Sequence, residues 1–167
     1  MEALRNLRRR QRIAFNYGLW LALLGTFLIA ILDAFDGYRH MMTFVDNYMY
    51  LVVYFLAGML TARKAGVVTH SGLAGRWTAF FSVLFGLVYE AIVYLFQFAA
   101  FHTLPKFITD IEFGDVHAPI TLIFLSLIAC GLLAFVTALT VVIGWGIGAL
   151  GGLLGKAMFK APAGSDY

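Results

Sequence analysis

Apolar residues run along this chain in long blocks. Four of them, Ile13–Leu32, Thr43–Ala62, Trp77–Phe101 and Pro119–Ile143, are each long enough to cross a hydrocarbon layer of about 30 Å, which takes roughly 20 helical residues. None shows the two-residue alternation of a barrel strand. The pattern predicts an all-α, polytopic membrane protein. Its expected form is a four-transmembrane-helix bundle in one domain over residues 1–167, with a glycine-rich extension of the last helix to residue 158.

The opening MEALRNLRRRQR resembles the basic region of a signal peptide. The apolar run behind it is about 20 residues long instead of 7–15, and no small-x-small cleavage site follows, so a retained first span is expected. Composition agrees with a membrane location. The chain is 62% apolar and 13% charged, against about 45–50% and 25% in soluble domains. One cysteine, Cys130, excludes a disulfide framework, CxxC redox chemistry and a cysteine-based zinc site.

Charge placement predicts orientation, because Lys and Arg near span ends are retained on the cytoplasmic side. Arg5, Arg8, Arg9, Arg10 and Arg12 precede the first block, Arg63, Lys64 and Arg76 separate the second and third, and Lys156 and Lys160 follow the fourth. The opposite side has Arg39 and Lys106 but also Asp33, Asp36, Asp46, Asp110, Glu112 and Asp115. Both termini are therefore expected in the cytoplasm. Arg8, Arg9, Arg10 and Arg12 are also candidates for holding anionic lipid headgroups; a nucleic-acid partner is not expected.

Helices in lipid associate where small residues let backbones approach. With about 100° per residue, Ser126, Cys130, Thr137, Gly144, Gly148, Gly151 and Gly155 share one arc of the fourth helix. Ala14, Gly18, Ala22 and Gly25 do the same on the first, and Tyr54, Gly58, Thr61 and Ala65 on the second. From Pro119 to Gly155 an unbroken helix would run about 55 Å, so the fourth must tilt, protrude or break. A break is expected in GWGIGALGGLLGK, where each glycine costs up to about 1 kcal/mol relative to alanine. Gly146, Gly148 and Gly151 satisfy GxGxxG, but no strand precedes them, and the Walker phosphate loop fails at Leu150. The overlapping pairs Gly144/Gly148, Gly148/Gly152 and Gly151/Gly155 instead predict a helix-packing surface, to which Gly86 on the third helix is added.

The segment AGMLTARKAGVVTHSGLAGRW, residues 57–77, resembles the glycine-punctuated hairpin of small, uncharacterised four-span bacterial membrane proteins. The resemblance covers about 20 residues. It implies a four-helix architecture and a bacterial inner membrane, and it carries no activity.

One carboxylate interrupts the apolar blocks. Glu90 lies about 20 Å along the helix from Trp77, near mid-bilayer, where an ionised group costs at least about 2.5–3.5 kcal/mol. Ser82, Gly86, Glu90, Val93 and Gln97 share a narrow arc, so Glu90 is expected to face the bundle. Tyr54 and Cys130 fall at about its depth and Ser126 about one turn outward, so a Tyr54 hydroxyl paired with neutral Glu90 is the simplest arrangement, and Glu90, Gln97, Tyr54 and Ser126 make up the expected intramembrane polar site. The group serves either as a structural hydrogen bond between helices or as a proton- or cation-binding site.

His40, His102 and His117 join the outer acids as conceivable metal ligands, but DIEFGDVH lacks the calcium-loop pattern, and neither a metal nor a cofactor is expected. All four histidines, His70 included, are expected in loops, and no nucleophile has a histidine at its depth. The expectation is a non-enzymatic membrane protein that works by helix association, as a homo-oligomer or an accessory subunit of a larger complex. The alternative is a small proton- or cation-coupled transporter or channel using Glu90.

Overall fold

Helix formation extends past the apolar blocks at nearly every end. The computed structural model describes residues 2–36, 42–65, 68–101 and 118–158. They form four helices: α1 (Glu2–Asp36), α2 (Met42–Ala65), α3 (Val68–Phe101) and α4 (Ala118–Met158). Three contain stretches long and apolar enough to cross a membrane, Arg8–Leu32, Val68–Phe96 and Ile123–Met158. Polar residues head α1 and α3 because a helix needs an apolar face only where it lies in lipid or packs. His70 consequently sits on α3, contrary to its expected place in a loop.

α2 and α3 form a central pair. α1 packs on one side of it and α4 on the other, with no approach of α1 to α4 among the described residues. The core has few large side chains. Its fully buried members are Ala14, Ala22, Ala57, Ala74 and Ala79 with Thr61, Ser71 and Thr78, so backbones meet almost directly.

The expected break in α4 does not occur. The helix is continuous from Ala118 to Met158, about 60 Å at 1.5 Å per residue. Its glycines lie against the neighbouring main chains, where close packing offsets their weak helix propensity. A Cβ on Gly148 would stand 2.7 Å from the Ser71 carbonyl oxygen and 2.8 Å from the Gly75 Cα. A Cβ on Gly58 would overlap the Gly148 carbonyl, one on Gly75 the Gly144 carbonyl, and one on Gly151 the Phe55 carbonyl. α4 is thus wedged between α2 and α3 over its C-terminal third.

We call this end, which holds Arg8, Arg12, the last turn of α2 and the first turn of α3, the base. Toward the far end the packing thins. α3 has no buried residue beyond Ser82 among those described, and every residue of α4 from Ile123 to Val136 is exposed. Only 6% of the most apolar window of α4 is buried. α1 and α2 remain together further, with Gly25 against Val53 and Ile29 still buried.

Candidate functional site: the cleft at Glu90

Where α3 and α4 leave the packed base, a cleft of about 410 Å³ opens beside α2. Tyr50 and Tyr54 of α2, Ser82, Gly86 and Glu90 of α3, and Thr140 of α4 are its polar or small lining residues, set among Leu51, Leu87 and Ile143. Ser82 and Tyr54 are each 3% exposed and form its floor; Glu90, two turns further along α3, is exposed at its rim.

The stripe Ser82, Gly86, Glu90 therefore does share one side of α3, but burial along it falls from Ser82 through half-buried Gly86 to Glu90. Glu90 faces the side on which the bundle lies at the base, at a level where the neighbouring helices have moved away. Packing around Gly86 is correspondingly loose: a Cβ there would find only the Tyr50 hydroxyl, 4.0 Å away. Gly144, Gly148, Gly151, Gly152 and Gly155 are all buried, in contrast.

The hydroxyls have distinct surroundings. Thr140 donates to the Val136 carbonyl at 2.8 Å, which leaves its oxygen lone pairs for the cleft. The same i−4 bond satisfies Thr26, Thr78 and Thr137 on the carbonyls of Ala22, Ala74 and Leu133. Tyr54 directs its hydroxyl toward Ser82, although Ser82 Oγ makes no well-formed hydrogen bond. The carboxylate at the rim and the hydroxyls behind it could hold a small cation or exchange a proton.

Of the residues singled out in the sequence, Tyr54 and Glu90 line this one cleft. Ser126 is exposed on the unpacked part of α4 and is not part of its lining, and nothing is described of the Gln97 side chain. Arg8, Arg9, Arg10 and Arg12 are exposed on α1, with Arg8 and Arg12 alone on the side toward Trp77. His40, His102, Asp110, Glu112, Asp115 and His117 lie outside the described residues. Among the described side chains no three His, Cys, Asp or Glu come together.

Sequence reasoning missed five contributors. Tyr50 and Thr140 carry polar atoms into the cleft, and Ser71, Gly75 and Ala79 form the α3 surface that receives α4. The four-residue spacing of those last three is the same small-residue signal that marks α4. It went unseen because residues 57–77 read as a hairpin. No family model, characterised protein or solved structure matches the chain.

Proposed function

We propose that this chain is a non-enzymatic, four-span integral membrane protein that works by association, as a homo-oligomer or an accessory subunit of a larger membrane complex. In this reading α2 is the fourth span, in contact with each of the other three helices, and the arginine-rich base faces the cytoplasm of a bacterial inner membrane. The resemblance of residues 57–77 to small four-span bacterial proteins fits the same reading.

The observation that carries it is the unequal packing along the long axis. The base is closed backbone to backbone, while the far part of α4 is exposed on every side and Glu90 stands exposed beside it. A carboxylate in lipid is costly as an ion, and as a neutral acid it still seeks a partner. A helix from a second protomer or a partner subunit laid in the cleft would cover both.

Cys130, the one cysteine, lies exposed in the unpacked segment and serves as a reporter. In native membranes, thiol-specific bifunctional crosslinkers should join Cys130 to a second copy if the association is symmetric, or to another chain if it is an accessory subunit. Rapid, complete labelling by a lipid-soluble monofunctional maleimide, with no crosslinked product at any spacer length, would contradict the proposal.

A second reading, proton- or cation-coupled transport, is favoured by the convergence of Glu90 with the hydroxyl-bearing residues Tyr50, Tyr54, Ser82 and Thr140 in one cleft. Glu90→Gln keeps hydrogen bonding and removes titration. Proteoliposomes whose proton flux is the same with the native chain and with Glu90→Gln would eliminate this reading.

A further inference from the structure

The base carries a second concave surface, away from the Glu90 cleft. A groove of about 860 Å³ runs between α3 and α4, walled by Leu73, Trp77 and Phe80 on one side and Val142 and Trp145 on the other, with Arg76 as its charged residue. Leu73 and Trp77 form a ridge. On its other side lies a smaller concavity of about 330 Å³, toward α1, that contains Arg8, Gln11 and Arg12. Three guanidinium-bearing residues therefore surround one indole, drawn from two helices and from both flanks of the ridge.

We propose that this ridge is a binding site for one acidic phospholipid, with the phosphodiester held by Arg76, Arg12 and Arg8 and an acyl chain lying in the α3–α4 groove.

Charge complementarity selects this occupant. No Asp or Glu occurs between Glu2 and Asp33, between Asp46 and Glu90, or between Asp115 and Asp166. The one carboxylate among the described side chains, Glu90, is about 20 Å along α3 from Trp77. Among the described side chains the arginines thus have no carboxylate at their own level, and guanidinium groups bind phosphate oxygens in two-point geometry.

Shape agrees with charge. From Leu73 to Phe80 the groove is about 10 Å long, a third of a hydrocarbon layer of about 30 Å, and it begins at the arginines. Trp77 and Trp145 stand at that junction, where indoles concentrate in membrane proteins. Trp77 is fixed there by Phe15 and Phe81, whose ring centroids are 5.2 and 5.8 Å away. Trp145 packs its ring edge on Gly72, where a Cβ would come within 2.8 Å of Nε1. Both reporters are therefore held in place. The site requires the helices to lie in a membrane and is independent of how the Glu90 cleft is covered.

The test uses the full chain carrying Trp20→Phe, so that Trp77 and Trp145 are the remaining indoles, reconstituted in phosphatidylcholine vesicles. Tryptophan quenching is read as acyl-brominated phosphatidylglycerol or acyl-brominated phosphatidylcholine is added at the same mole fraction. The acidic lipid should be enriched at the indoles by about fivefold for each arginine engaged, and Arg76→Gln or Arg12→Gln should each lower that preference by about the same factor. Ala138→Phe, which narrows the groove without touching a charge, should reduce quenching by the acidic lipid and leave the native mass of the preparation unchanged. Equal quenching by the two lipids, a preference indifferent to the arginine substitutions, or no quenching by either lipid because a protein helix occupies the groove, would each overturn the proposal.

Discussion

At the residue scale, glycines that look alike in sequence have opposite tasks. Gly148 touches both α2 and α3, and its missing Cβ is what allows the approach. Gly146, two positions away, has open space where a Cβ would go. Gly148→Ala should therefore destabilise the detergent-solubilised protein by about 1–3 kcal/mol through overpacking. Gly146→Ala should be neutral or stabilising by up to about 1 kcal/mol through helix propensity, and paired thermal unfolding curves would check both. Ser71 is informative in another way. It is completely buried against Gly152 and its hydroxyl has no hydrogen-bond partner among the described residues. Removing an unsatisfied hydroxyl without changing the packing should cost little, so Ser71→Ala should unfold within about 0.5 kcal/mol of the native chain or above it.

Glu90 was legible as a residue and not as a site. The expectation of mid-depth, like its shared arc with Ser82 and Gly86, comes from counting along a helix. Whether a neighbour stands opposite at that level depends on where α4 and α2 diverge, and a single-helix arc contains no such information. Tyr54 lines the same cleft as Glu90, but it is buried with Ser82 at the floor while Glu90 is exposed at the rim. The register between helices is set by the glycine contacts at the base, from which Tyr54 and Ser82 are closer than Glu90 is.

At the scale of elements, the apolar blocks announced each helix but misplaced its ends. α3 begins at Val68, nine residues before Trp77, because hydropathy marks the part apolar enough for lipid while Ser71, Gly75 and Ala79 mark the part that packs. Arg76 distinguishes the two readings. If the helix began at Trp77, proline at 76 would be tolerated. In a helix running from Val68, Arg76→Pro removes an interior hydrogen bond and clashes with the preceding turn, at about 3 kcal/mol. A large fall in unfolding temperature is expected, and an unchanged one would restore the shorter helix. The unbroken α4 teaches the converse lesson. Helix propensity counts every glycine as a loss, and only the facing carbonyls of Ser71, Phe55 and Gly75 reveal that the same glycines are contact points.

At the scale of the whole molecule, the chain is closed at one end and open at the other. The base holds small-residue contacts between α1 and α3, α2 and α4, and α3 and α4, the cationic ridge at Trp77, and Lys64 over the Tyr17 ring at 5.8 Å. At the far end every residue of α4 from Ile123 to Val136 is exposed, with Phe124, Leu127, Leu132 and Phe135 each 65–68% exposed. A lone helix in lipid needs no cover, but a carboxylate beside it does. The central claim is that a second chain fills the cleft. Native mass measurement after extraction in a mild detergent tests it most directly. The account expects a species heavier than the 18.5 kDa chain, either a multiple of it or a complex with another membrane protein, and expects Glu90→Leu to shift that distribution. A strictly monomeric species, free of copurifying chains and unchanged by the substitution, would contradict it.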